Sequence, residues 1–243
     1  FEEAPTVPGA APEVVRRRTR LRHARTLQMG DEVQAVRFSK SRSAARLLVA
    51  VATLDFTVRV FFHDSLKFFL QLYGHSLPVH AMDASDDSAL MATGGDDKKV
   101  NVWRVGSSSS VWSLTGNTSA VEKVCFDSEE QFLVSGSKGG SLKVFDLTEG
   151  KVSRSLPGHR SNVTSLHYHP FGSFVVSGSV DTNVKIWDVR MKNEILTYKG
   201  HEKDITAVRF SPDGRWLAAG GAADGDLCGA ARQRRERAAA AAA

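Results

Sequence analysis

One interval organises this chain. Gly74-His75, Gly116-Asn117, Gly158-His159 and Gly200-His201 stand 42 residues apart at every step. The aromatic series Phe61, Trp103, Phe145 and Trp187 keeps the same interval of 42, as do Asp55, Asp97, Gly139 and Asp181, and Val51, Thr93, Ser135 and Ser177. Independent positions that share one period mark a structural unit duplicated in tandem, and such a unit buries its apolar surface only by stacking on its neighbours.

Inside the unit the hydrophobic pattern is that of short strands. Val163 to Tyr168 alternates, Phe174 to Gly178 is a buried-type run, Val184 to Trp187 alternates again, and Glu194 to Tyr198 closes the unit. Turn-forming residues separate them: His169-Pro170-Phe171-Gly172 after the first run and Asp181-Thr182-Asn183 after the second. Four antiparallel strands in 42 residues predict one blade of an all-β propeller. Complete units are expected on 33–72, 79–114, 121–156 and 163–198. A fifth opens at 204–210 and continues through 216–221, but then meets Ala222-Ala223-Asp224-Gly225 where the next aromatic-bearing strand is due. The fold is therefore expected to be a partial propeller of four full blades and an incomplete fifth.

A Gly-His near the start of the unit and a Trp-Asp near its end, here Gly158-His159 and Trp187-Asp188, make the stretch from about 31 to 221 resemble the WD40 family. That family usually has seven blades. The resemblance implies that His159, Ser177, Asp181 and Trp187 form a hydrogen-bonded chain inside their blade, and His75, Thr93, Asp97 and Trp103 a second one. The chemistry suits it: an indole N–H only donates, a hydroxyl accepts and passes a proton to imidazole, and the other ring nitrogen donates to a carboxylate. Asn117, Gly139 and Phe145 replace the set in the third unit and leave only Ser135, while the first keeps only Asp55. These two units are expected to rely mainly on apolar packing.

Ser177, His159 and Asp181 also contain the groups of a hydrolytic triad. The set recurs with Thr93, and each hydroxyl is tied to a tryptophan, so the architectural reading is preferred and no catalytic residue is assigned. His167 and His169 alternate on one strand with no third ligand spaced near them, so no metal site and no cofactor is expected. Cys125, between Val124 and Phe126, reads as a small core residue.

Composition bears mainly on the ends. Two cysteines in 243 residues cannot supply a disulfide framework and fit a reducing compartment. No apolar run is long enough for a membrane span. The chain opens on Phe1 with no visible signal peptide, which points to a start beyond it. Of the formal charge of +5, residues 1–30 carry +3 through Arg16, Arg17, Arg18, Arg20, Arg22 and Arg25, and 222–243 carry +1. Residues 1–27 are expected to form a disordered basic arm, 28–221 the propeller and 222–243 a disordered Ala/Arg tail foreign to it. The Arg16–Arg25 cluster suits either an RNA–protein particle or plain solvation.

Two narrower resemblances follow. Gly94 to Trp103, Ser113-Leu114-Thr115-Gly116, His169 to Gly172, Trp187 to Lys192 and Phe210 to Trp216 make about 94–221 similar to the regulatory, non-catalytic WD40 subunit of katanin. Thr26 to Met29 and Asp64 to His75 make about 26–82 similar to WD40 proteins of the small-subunit processome, and the change falls between Met82 and Gly94. The first implies a non-enzymatic scaffold that targets a severing ATPase subunit to microtubules and centrosomes; the second implies pre-rRNA processing in the nucleolus. On either, partners are macromolecules, with no membrane and no small-molecule substrate. Arg160, Lys203, Lys98 and Lys99, beside the Gly-His segments and the Asp97 turn, are the candidate partner contacts, although solvated surface charge would look the same.

Overall fold

The computed structural model describes residues 25–39, 48–87, 89–191 and 193–221, together with the backbone of the pair 231–232. Every regular element among them is a β-strand, and the strands fall into five antiparallel sheets. The first blade contains β1 (Val33–Phe38), β2 (Leu48–Thr53), β3 (Val58–Phe62) and β4 (Phe68–Leu72). The second contains β5 (Val79–Ala84), β6 (Leu90–Gly95), β7 (Val100–Arg104) and β8 (Ser110–Leu114). The third contains β9 (Val121–Phe126), β10 (Phe132–Ser137), β11 (Leu142–Asp146) and β12 (Lys151–Leu156). The fourth contains β13 (Val163–Tyr168), β14 (Phe174–Ser179), β15 (Asn183–Asp188) and β16 (Glu194–Lys199). The fifth has β17 (Ile205–Phe210), β18 (Trp216–Gly221) and the two-residue β19 (Ala231–Arg232).

The blades are the 42-residue units, and the fourth ends one residue later than the pattern suggested. In the segment read as a tail, Ala231 pairs with Leu217 and Arg232 with Trp216, so β19 takes the third-strand place in the fifth blade. Residues 222–230 and 233–243 lie outside the described residues, as do 1–24 with the arginines Arg16 to Arg22. Arg25 is described, and its guanidinium donates to the Asp64 carbonyl at 2.6 Å. Beside it, Leu27 and Met29 pack on Val49, Val51 and Phe61 of the first blade.

Two irregularities repeat with the sequence. In every blade the pairing of first and second strand slips near the start of the inner strand, at Val33/Ala35, Val79/Ala81, Val163/Ser165 and Ile205/Ala207, and opposite Gly136/Ser137 in the third. A second slip precedes each periodic aromatic, at Val60/Phe61, Val102/Trp103, Val144/Phe145 and Ile186/Trp187. The extra residue lies on the fourth strand each time, at Phe69, Val111, Ser153 and Ile195, and a bulge bends its strand and adds twist.

The apolar core lies between blades. Ala52, Val58 and Leu72 meet Val79, Met82 and Trp103; Val100 and Leu114 meet Val121, Val124 and Phe145. Leu142 and Leu156 meet Val163, Leu166 and Trp187, and Val184 and Ile186 meet Ile205 and Val208. Cys125 is buried within the third of these clusters. Only a sheet with neighbours on both faces is fully covered.

Candidate functional site

In the fourth blade the Trp187 indole on β15 donates to Ser177 Oγ on β14 at 2.8 Å. Ser177 Oγ lies 2.6 Å from His159 Nε2, and His159 Nδ1 lies 2.9 Å from Asp181 Oδ2. The carboxylate also accepts the backbone N–H groups of Arg160 at 2.9 Å and Asn183 at 3.0 Å, tying the Gly-His segment to the β14–β15 turn. These partners set the imidazole as the Nδ1–H tautomer, with the serine proton directed at Nε2. The second blade repeats the arrangement: Trp103 Nε1 to Thr93 Oγ1 is 2.9 Å, Thr93 Oγ1 to His75 Nε2 is 2.8 Å, and His75 Nδ1 to Asp97 Oδ2 is 3.0 Å.

The side chains of His75 and His159 have 1% and 0% exposure. Burial pushes both imidazoles below their ordinary value, against the opposing pull of Asp97 and Asp181. Burial alone would raise Asp181, but hydrogen bonds from Arg160 N–H, His159 and Asn183 N–H outweigh it and hold the carboxyl below its usual range. Ser177 is buried with an indole N–H already on its oxygen. A nucleophile must reach substrate, and this hydroxyl cannot; the trio fastens a turn to a core aromatic.

The other blades add polar contacts to the apolar packing expected of them. In the third, Ser135 Oγ donates to Asn117 Oδ1 at 3.0 Å, so the asparagine replaces the imidazole as acceptor and a two-member polar contact survives beside the buried Phe145. Ser119 Oγ takes the Gly139 N–H at 2.8 Å where the other blades use a carboxylate. In the first blade Asp55 accepts from Thr53 Oγ1, from Thr57 Oγ1 at 2.7 Å and N–H at 3.1 Å, and from Arg59. Against the raising effect of burial, those bonds and the Arg59 charge hold Asp55 below its usual range. Neither blade rests on apolar packing alone, because backbone donors in a tight turn need acceptors whether or not a tryptophan is present.

The fifth blade has the histidine without its partners. Ala219 stands one step of 42 after Ser177, and Ala231, paired with Leu217 as Trp187 is with Val175, stands in the place of the indole. His201 Nδ1 is buried with no hydrogen-bond partner among the described residues.

His167 and His169 do not converge on a common point as ligands. His167 Nδ1 accepts the Phe210 N–H at 3.0 Å, and His169 Nε2 lies 3.2 Å from the Gly214 carbonyl, so both tie the fourth blade to the fifth. Among the described residues no group of His, Cys, Asp or Glu has the geometry of a metal site.

The four proposed contact residues are all exposed. Lys98 and Lys99 sit on the β6–β7 turn beside the second relay; Lys98 adopts a φ of +63° and its carbonyl faces Asn117 of the third blade. Arg160 follows His159 and Lys203 follows His201, so these cations line one rim. Sequence reasoning missed a bridge on that rim, where Lys138 Nζ lies 3.3 Å from both Asp96 and Glu122 and His80 lies 3.0 Å from Asp96. It also missed the cations on the first strands of the blades: Lys123 on β9 is pushed down first by burial and then by the Arg37 charge from β1, with a smaller effect from Arg209 on β17.

Comparison with known proteins agrees with this geometry. The profile of the WD domain, G-beta repeat, matches residues 150–188 and 192–228. That of the anaphase-promoting complex subunit 4 WD40 domain matches 82–166. The chain carries WD40 repeats. Among relatives, the katanin p80 WD40 repeat-containing subunit B1 of Danio rerio is 45% identical over 74 residues, 30% of this chain and 11% of the relative. WD repeat-containing protein 3 of Mus musculus is 48% identical over 63 residues, 26% of this chain and 6% of the relative. U3 small nucleolar RNA-associated protein 12 of Saccharomyces cerevisiae is 45% identical over 64 residues, 26% and 6% respectively. This WD40 chain thus spans a small part of the length of the relatives it matches.

Proposed function

We propose that the chain is a non-enzymatic WD40 scaffold of the katanin regulatory-subunit kind, which binds microtubules and brings a severing ATPase subunit to them. The observation that carries this is the rim where Lys98, Lys99 and Arg160 are exposed on turns fixed by the relays at Asp97 and Asp181. A cation on a rigid turn loses little freedom on binding, and its charge suits the acidic surface of a tubulin lattice. Likeness to the katanin p80 subunit supports the choice of partner. Such a scaffold would work in the cytoplasm at the cytoskeleton and centrosome. The test is co-sedimentation with microtubules of the Lys98→Glu/Arg160→Glu/Lys203→Glu variant. Its pellet fraction is expected to fall severalfold with an unchanged melting curve, and an unaltered pellet would remove the rim from the site.

A second reading is favoured by one observation of its own. The charges of Arg37 and Arg209 both act on the buried Lys123, and one relative is a U3 small nucleolar RNA-associated protein. On that reading the chain is a nucleolar component of the small-subunit processome, and it would bind structured RNA with strong salt dependence. Retention on U3 small nucleolar RNA without sedimentation on microtubules would select it.

A further inference from the structure

Each junction between blades uses one repeated fit. A small residue on the second strand of one blade lies against two apolar residues, three apart, on the inner strand of the next. A Cβ on Gly94 would come within 2.5 Å of Val121 Cγ1 and 3.3 Å of Val124 Cγ1. On Gly136 it would lie 2.7 Å from Val163 and 3.0 Å from Leu166, and on Gly178 2.6 Å from Ile205 and 2.9 Å from Val208. Ala52 holds the same place in the first blade, in a cluster with Val79 and Met82. The residues fitted against these positions are all buried.

Among the described residues, both halves of this joint remain open at the first and fifth blades. Gly220 is next in the series, and a Cβ there would meet nothing within 4 Å among the described residues. Val33 and Val36 match Val79 and Met82 in strand register, yet they are 43% and 44% exposed. A polar contact repeats the message. Arg37 Nε donates to the Met82 carbonyl of the following inner strand at 3.0 Å, and Asp83 and His167 each accept an N–H from the following inner strand. Arg209 occupies the Arg37 place in the fifth blade, and its side chain makes no hydrogen bond among the described residues. Near Gly220, His201 Nδ1 is also unpartnered.

The geometry points to head-to-tail association of this chain with a second copy, in which Val33 and Val36 of one molecule seat on Gly220 of the next. Arg209 of the molecule that supplies Gly220 then donates to the Val36 carbonyl of the other, as Arg37 does to Met82. A second copy is the occupant because this chain carries both halves of a joint it already makes four times internally. The two surfaces differ, so the contact is heterologous and the assembly keeps one open surface of each kind.

The test uses the full chain and two variants, each damaged at one end. Gly220→Leu places a branched side chain where Val33 and Val36 should seat; its backbone φ is not in the left-handed region and its surroundings are open, so the subunit should keep its fold. Val33→Asp/Val36→Asp charges the other surface. Light scattering after gel filtration should give the mass of at least a dimer for the unaltered chain and a monomer for each variant alone. Mixing the two variants should restore a dimer that grows no further, because each partner has one intact surface. Near-ultraviolet circular dichroism checks that each variant is folded. A monomeric unaltered chain at every concentration, or a mixture that stays monomeric while both variants are folded, would overturn the proposal. Association that persists in Gly220→Leu would place the contact elsewhere and equally overturn it.

Discussion

Gly178 and Ile205 touch so closely that one added methyl group on the glycine would lie 2.6 Å from Ile205 Cγ2. That approach brings β14 of the fourth blade onto β17 of the fifth, and neither residue has a left-handed φ, so the requirement for glycine is purely one of space.

Gly178→Ala is therefore expected to cost about 1–3 kcal/mol, as overpacking of a tight core does. Gly220→Ala, one step of 42 further on, should be neutral or stabilising by up to about 1 kcal/mol, because the space is open among the described residues and alanine restricts the unfolded chain. Urea denaturation of the two variants side by side measures the difference. Equal costs would mean that the glycine period reflects backbone conformation and not contact.

Trp187 serves two purposes, and two substitutions separate them. Trp187→Ala removes a buried ring and should destabilise by about 3–5 kcal/mol. Trp187→Phe keeps most of the apolar volume and loses the bond to Ser177, for a cost nearer 1–2 kcal/mol. Phe145 shows that the fold accepts phenylalanine here, in a blade that also lacks the imidazole. Thermal melting gives the order, and equal losses would assign the whole effect to the indole N–H.

The relays predict a pH dependence. His75 and His159 titrate below their ordinary value of 6.5 in the folded chain, so the unfolded chain binds more protons in the interval beneath that value. Stability should be complete above about pH 6.5 and decline as pH falls through the depressed folded values. Asp181, also lowered, adds a further loss at more acidic pH. Chemical denaturation across this range should show the decline, and His159→Gln should flatten it. A curve that rises on acidification would contradict the burial of neutral imidazoles.

His201 and His159 should respond oppositely to the same change. His159→Leu leaves the Ser177 hydroxyl proton without its acceptor and takes one of three donors from Asp181, and should cost about 2 kcal/mol or more. His201→Leu removes a ring nitrogen that is already unpartnered, so it should be neutral or stabilising by about 1 kcal/mol. Comparing melting midpoints decides it.

The fold was legible because its spacing is written in residue types that repeat. The period of 42 picks out Trp103 and Trp187 with a hydroxyl, an imidazole and a carboxylate, and the WD40 resemblance implied that these are bonded to one another. The Asp55 network carried a local signal, Thr53-x-Asp55-x-Thr57, which the search for relay members passed over. The ties made by His167 and His169 were not legible in the same way. Their partners are backbone atoms 43 and 45 residues away, and main-chain groups leave no trace in residue identity. The bulges ahead of the periodic aromatics are equally silent, since they arise from strand geometry and not from a distinctive residue.

Because the apolar clusters sit between sheets and not within them, rigidity should be graded along the arc. β9 to β12, sandwiched on both sides, should hold their amide protons longest against deuterium, and β17 with β18 should release theirs early. Melting would then begin at the rims of the arc and travel inward, like a stack of cards loosening from its outermost members.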